Sequence, residues 1–224
     1  MKSSSGKAFD NINPATEKSI GKFQSGNEKD VKKAIGAAED AFVKWSETPA
    51  PKRGEILLRA AQLLRQHKER LAKTETIEMG KVLAEARGDV QEAIDVAEYM
   101  AGEGRRLFGH TTPSELRNKF AMTIRRPIGI VGLITPWNFP IAIPAWKIMA
   151  ALICGNTIVF KPSSDTPLCA IELVKILELA GLPKGVLNMV TGSGDTVGKI
   201  IVTNKKIRAV SFTGSRDTGE WITK

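Results

Sequence analysis

Hydrophobic positions recur along this chain with two different rhythms, and the change falls near residue 127. In the first half Val31, Ala34, Ile35, Ala38, Phe42 and Trp45 return every three or four residues, the spacing that lines one helix face. Asn27, with Asp30 three positions on, supplies a helix start: a side-chain acceptor for free N–H groups and an acid in the first turn. Pro49 and Pro51 punctuate, and a second helix begins at Pro51, carried by Ile56, Leu57, Ala60, Leu63 and Leu64. A third runs from 83 to about 107 through Ala86, Val90, Ile94 and Ala97. Phe120, Met122 and Ile124 alternate with polar neighbours, which predicts a strand over 119–126 outside the main sheet. His67 and His110 fall in this polar half and read as surface side chains.

From Pro127 the runs shorten. Residues 128–134, 157–160, 186–190 and 207–212 are dominated by apolar and β-branched side chains, as expected of strands buried on both faces. Helix-like segments at 141–153, 167–180 and 196–203 separate them, Gly181-Leu182-Pro183 stops one, and Ser215 opens a last helix. Four successive strand–helix units predict a parallel sheet with right-handed crossovers. The expected fold is therefore α/β: a Rossmann-like core over 127–224, preceded by helices and a β-strand extension over 1–126. Ligands of such sheets bind beyond the carboxyl ends of the strands, so chemistry is expected just after Ile134, Phe160, Val190 and Phe212.

Composition narrows the function classes. At 224 residues, 42% hydrophobic and 25% charged, the chain reads as an ordinary globular protein of one large domain or two small ones. Pro136, Pro140, Pro144 and Lys147 interrupt the most apolar stretch, so no run approaches the ~18 residues of a membrane-spanning helix. The opening MKSSSGK has no apolar signal region, and a cytoplasmic protein without membrane association is expected. Cys154 and Cys169 support neither a disulfide framework nor a zinc site; each is expected to be a small buried side chain, and no metal is expected. The net charge of +9 raises nucleic-acid binding, but residues 1–126 hold 23 Lys/Arg against 18 Asp/Glu and residues 127–224 hold 10 against 6. Charge so evenly spread lacks the stripe that phosphate-tracking proteins use, and no nucleic-acid partner is expected.

The four strand ends carry Thr135-Pro136-Trp137-Asn138-Phe139-Pro140, Lys161-Pro162-Ser163-Ser164, Thr191-Gly192-Ser193-Gly194 and Thr213-Gly214-Ser215. Each alone has a plain structural reading: Asn138 as a turn residue between prolines, Lys161 as a surface lysine, the glycines as tight-turn positions. Together, a lysine, two glycine-bearing turns and a serine at a helix start form a cradle for a phosphate-bearing nucleotide.

These residues resemble the aldehyde dehydrogenase superfamily along essentially the whole chain. The motifs that carry the resemblance are NPATE over 13–17, PIGIVGLITPWNFP over 127–140, GNTIVFKP over 155–162 and SFTGS over 211–215, in the family's order. The resemblance implies oxidation of an aldehyde to an acid, in which a cysteine thiolate attacks the carbonyl, hydride passes to NAD or NADP, and a glutamate activates water. It implies that Asn138 donates its side-chain amide to the developing oxyanion. Ile134, Thr135, Pro136 and Trp137 would line the nicotinamide side, Lys161 would reach the adenosine ribose, and Gly194 would let the backbone approach the adenine half. Ser215 would hold the pyrophosphate at a helix start, with Gly214 and Gly219 giving the turn room. Ser164 stands where NAD-preferring relatives commonly carry a glutamate, which implies tolerance of NADP.

The family's nucleophilic cysteine and catalytic glutamate follow the SFTGS turn in a later domain, and this sequence stops at Lys224. The expectation is therefore a cofactor-binding fragment lacking the catalytic domain, predicted inactive alone and exposing apolar surface. The complete family enzyme is expected to be a homo-oligomer acting on a small-molecule aldehyde. The wording over 134–147 is similar to members acting on semialdehydes such as 2-oxoglutarate or succinate semialdehyde, and to some glyceraldehyde-oxidising members. The alternative is a non-catalytic nucleotide-binding or interaction protein derived from the same family.

Overall fold

The computed structural model describes residues 3–224. The described chain opens with an antiparallel hairpin, β1 (Ala8–Ile12) and β2 (Ser19–Gln24), which the periodicity did not predict. The inward position of β1 is Asn11, a buried polar residue, so the apolar alternation that marks a strand is missing there. Phe9 and Phe23 pair across the hairpin with ring centroids 6.1 Å apart.

Four helices follow: α1 (Glu28–Glu47), α2 (Ala50–Gln66), α3 (Lys68–Met79) and α4 (Leu83–Glu103). The predicted start of α1 is present as a capping box. The Asn27 side chain accepts from the N–H groups of Lys29 and Asp30, and Asp30 accepts from the N–H of Asn27. Helix α3 was not foreseen, because two of its four buried residues are Glu75 and Glu78 and no apolar stripe announces it. The helix expected to reach about 107 ends at Glu103. The strand expected over 119–126 contracts to β4 (Ala121–Met122), paired with β3 (Thr111–Thr112) outside the main sheet.

The second half alternates as predicted: β5 (Ile130–Ile134), α5 (Ala142–Ile153), β6 (Thr157–Lys161), α6 (Pro167–Leu179), β7 (Leu187–Met189), α7 (Lys199–Thr203), β8 (Ile207–Phe212) and α8 (Arg216–Thr223). The helix expected over 196–203 begins instead as a π-helical turn, Gly194–Gly198, where two glycines weaken the tighter α-helical winding. The four late strands form one parallel sheet in the order β7-β6-β5-β8.

Every residue of β5 and β6 is buried. Successive side chains point to opposite faces, which divides them between two cores. Val131, Leu133, Ile158 and Phe160 pack with Leu57, Ile94, Leu152 and Leu173 of α2, α4, α5 and α6. Ile130, Ile134 and Val159 pack with Val31, Ile35 and Ala38 of α1 and with Val197 and Ile201. At roughly 1.5–3 kcal/mol per fully buried aliphatic side chain, these two layers hold the sheet. None of the described helices is long and apolar enough to cross a membrane.

Cys169 is buried as expected, but Cys154 is exposed, which corrects the prediction for that residue. It caps α5 at the turn into β6, exposed between the buried residues Ile153 and Gly155.

Gly132 marks the tightest approach in the sheet: a Cβ there would lie 2.5 Å from Ile201 Cγ2 and 3.2 Å from Ile207 Cγ2. Gly132→Ala is therefore expected to destabilise the chain by about 1–3 kcal/mol, measured by urea denaturation. An unchanged midpoint would contradict the packing described for β5, α7 and β8.

Candidate functional site

The register of the parallel sheet decides what sits together. Ile134 lies opposite Lys161 on one side and Phe212 on the other, so β5, β6 and β8 end in one row and their loops leave from a common edge. Loop backbones extend the ladder: Thr135 N–H donates to the Lys161 carbonyl at 3.2 Å, and Thr213 N–H to the Ile134 carbonyl at 3.1 Å. Val190 N–H donates to the Phe160 carbonyl at 2.9 Å, and Ser164 Oγ to the Gly192 carbonyl at 3.1 Å, which brings in the β7 loop.

Within that row Ile134, Thr135 and Lys161 are buried, Pro136 is half-buried, and Trp137 and Asn138 are exposed. The Thr135 hydroxyl is buried without a hydrogen-bond partner in the described structure. Lys161 is no surface lysine: its Nζ donates to the Pro162 carbonyl at 3.0 Å, and burial lowers its pKa. Its stem runs beside Gly198, where a Cβ would stand 3.7 Å from Lys161 Cδ and 4.0 Å from Ile134 Cδ1. Gly194 faces open space, with nothing within 4 Å of where a Cβ would be. Gly214 is needed for its neighbour, since a Cβ would come within 2.5 Å of the Phe212 ring. Ser215 caps α8, accepting from Thr218 N–H at 3.4 Å, so the first turn of that helix opens at the same edge.

The expected residues therefore gather from four loops, and two separate depressions border some of them. Trp137 and Ser164 border a cleft of about 320 Å³ with Asn11, Glu78 and Asp165. Asn138 and Phe139 border a wider depression of about 690 Å³ with Lys81, Glu85, Asp89 and Glu92. The side chain of Asn138 makes no hydrogen bond to the described residues, whereas its carbonyl accepts from Lys81 Nζ at 2.8 Å.

Lys81 belongs to a buried charge cluster that the sequence did not reveal. Its Nζ lies 2.9 Å from Glu75 Oε1 and 3.4 Å from Asp89 Oδ2, and both carboxylates are fully buried. Six and eight residues separate the partners, so no helix-face spacing announces the cluster. Burial, reinforced by the Asp89 charge, pushes Glu75 up to about 8, and burial raises Asp89 as well. Among the described residues no group of three or more His, Cys, Asp and Glu is placed to hold a metal ion.

Raised carboxylate pKa values have a definite sign. Between the ordinary carboxylate range and about pH 8 the folded chain keeps a proton on Glu75 that the unfolded chain releases, so this contribution is lost as pH rises. Stability is expected to fall from pH 5.5 to 7.5 with a limiting slope of about 1.4 kcal/mol per pH unit for one such group. Glu75→Gln should flatten the profile. A wild-type profile that rises across this window, or one that Glu75→Gln leaves unchanged, would contradict the assignment.

Comparison with known proteins gives this geometry a lineage. The 2,5-dioxopentanoate dehydrogenase of Saccharolobus solfataricus is 43% identical over 221 residues, covering 98% of this chain and 46% of the relative. The alpha-ketoglutaric semialdehyde dehydrogenase of Bacillus subtilis is 41% identical over 223 residues, again with 46% of the relative covered. Among solved structures, betaine aldehyde dehydrogenase from Staphylococcus aureus in complex with NAD+ superimposes with a TM-score of 0.97 at 35% identity, over 100% of this chain and 45% of that one. An E. coli NADP dependent enzyme superimposes equally well, at 38% identity. The chain thus spans about half the length of the relatives it matches. A model of the aldehyde dehydrogenase family matches residues 1–224, and the chain belongs to that family.

Proposed function

We propose that this chain is the dinucleotide-holding part of an NAD(P)-dependent aldehyde dehydrogenase, similar in sequence to those acting on semialdehydes, in a cytoplasmic setting. The observation that carries the reading is the single row Lys161–Ile134–Phe212, from which three loops leave together, with the β7 loop tied in through the Ser164–Gly192 hydrogen bond. Residues 127–224 form the dinucleotide core in this reading, and the helices and short strands of 1–126 support it.

The residues present fit a dinucleotide. An orphaned, buried Thr135 hydroxyl, an ammonium with one carbonyl partner at Lys161, open backbone at Gly194 and an exposed helix start at Ser215 suit a long, polar, anionic ligand. Bound there, the dinucleotide supplies the hydride acceptor for aldehyde oxidation. Lys161 and Ser164 hold the adenosine ribose, Gly194 admits the adenine half, and Gly214 and Ser215 hold the pyrophosphate. Ile134, Thr135, Pro136 and Trp137 orient the nicotinamide side and exclude water. Asn138, with its side-chain amide unengaged, donates to the oxygen of the aldehyde as negative charge develops, a contribution typically worth ~100- to 1000-fold in rate.

Neither thiol of the chain can act as nucleophile beside Asn138. Cys169 lies buried in α6, where burial and the Glu78 carboxylate push its pKa far up. Cys154 stands before β6, at the opposite end of the strands; the five residues of β6 span about 13 Å at ~3.3 Å per residue. The chain alone is therefore expected to oxidise no aldehyde.

Calorimetric titration of the chain with NAD and NADP at equal ionic strength tests the reading. Ser164 presents no carboxylate to the 2′-phosphate, whose charge is roughly −1.5 to −2 at neutral pH, so NADP is expected to bind at least as tightly as NAD. Ser164→Glu should shift the preference towards NAD by about tenfold or more, or ~1.4 kcal/mol. Binding of neither dinucleotide would overturn the proposed function, and a wild-type NAD preference unchanged by Ser164→Glu would overturn the role of Ser164. The same preparation, given aldehyde and either dinucleotide, should form no reduced nicotinamide; turnover abolished by Cys154→Ala would refute the placement of the thiols.

A further inference from the structure

We propose that Lys81 is the positioning residue of the turn that presents Asn138, an inference that rests on reading Asn138 as the donor to the reacting oxygen. Lys81 belongs to the link between α3 and α4, far from Asn138 in sequence. Gly80 before it adopts φ 81°, a left-handed conformation that turns the chain out of α3. A Cβ at Gly80 would lie 3.0 Å from Pro14 Cγ, so the hairpin loop fixes this link from outside.

The Lys81 side chain is only 7% exposed, and each direction open to its ammonium is taken. Glu75 and Asp89 lie at 2.9 and 3.4 Å, the Asn138 carbonyl accepts at 2.8 Å, and the Phe139 ring centroid is 3.8 Å away. Two of its N–H bonds have acceptors, on Asp89 and the Asn138 carbonyl, while Glu75 is a close polar contact and the aromatic face adds a cation–π contact. Asp89 grips the far side of the same turn: its second oxygen accepts from Ala142 N–H at 2.6 Å, at the first residue of α5.

One charged cluster on the helical layer thus holds the turn both at Asn138 and just beyond it. The Asn138 side chain has no other anchor among the described residues, so its direction is set through its backbone. Oxyanion donors act only when preorganised, and a misplacement of ~1 Å can cost ~100-fold in rate. An anchor that is itself held between the buried Asp89 and Glu75 side chains supplies that preorganisation without touching the reacting atoms.

Amide hydrogen exchange followed by NMR on the 224-residue chain tests this, and it depends on neither dinucleotide binding nor turnover. In Lys81→Met, the amides of Ala142 and Ile143, which donate to Asp89 and to the Phe139 carbonyl, should exchange roughly tenfold to a hundredfold faster as the turn loosens. Those of Val131, Leu133, Ile158 and Phe160 should stay within about twofold, since the ladder of β5 and β6 is untouched. The Asn138 side-chain amide, expected as one pair of resonances in the wild type, should broaden or split. Lys81→Arg, which keeps the charge, should recover most of the protection. An unchanged turn in Lys81→Met, equal loosening of the whole sheet, or a Lys81→Arg variant no better than Lys81→Met would each overturn the proposal. Failure of dinucleotide binding would count against the proposed function and leave this result standing.

Discussion

Two neighbouring parallel strands buried on both faces are the constraint from which this structure follows. Every residue of β5 and β6 is buried, so the backbone N–H and C=O groups there must find their partners in the ladder. That requirement fixes the register, Ile134 against Lys161 and Phe212, and the register brings the loops to one edge. Helices must then cover both faces, and the segments between the strands do so, with α1, α2 and α4 completing the layers. The site is a by-product of this closure: side chains just past the last ladder bond are the first that can meet a ligand.

Buried charges are placed where they tie the loops to the helical layer. Glu78 on α3 accepts from Asn11 Nδ2 at 2.7 Å and from the N–H groups of Leu168 and Cys169 at 2.6 and 2.7 Å. It caps the start of α6 and anchors the hairpin at once. Asp89 does the same for α5, one turn after Asn138. A buried carboxylate is costly unless it is bonded, and at both positions the unmet N–H groups of a helix start supply the bonds. The loops of β5 and β6 are thereby held from below by α3 and α4, leaving their outer surfaces free.

Strands buried on both faces declared themselves in the sequence because β-branched runs such as TIVF over 157–160 have few other uses, and their order fixed the location of the site. The Asn27 and Ser215 caps were legible for a local reason, since a cap needs only its own first turn. Where burial is polar, legibility ended. Asn11 hid a strand, Glu75 and Glu78 hid a helix, and the Lys81 cluster joins residues whose pairing exists only after α3 and α4 fold together. At Cys154 apolar context misleads, because α5 stays buried through Ile153 while the cap that follows it turns to the surface. The roles assigned to the loop residues came from family resemblance, and the structure supplies their common edge.

The central claim, that the carboxyl edge of the sheet holds a dinucleotide, is tested most directly by mapping amide chemical-shift changes during titration with NADP. The account predicts perturbations concentrated in 134–139, 161–164, 192–198 and 213–217, with the opposite strand ends near Gly129, Asn156 and Lys206 silent. Saturable perturbations centred on those amino-terminal strand ends, or none along the carboxyl edge, would contradict it.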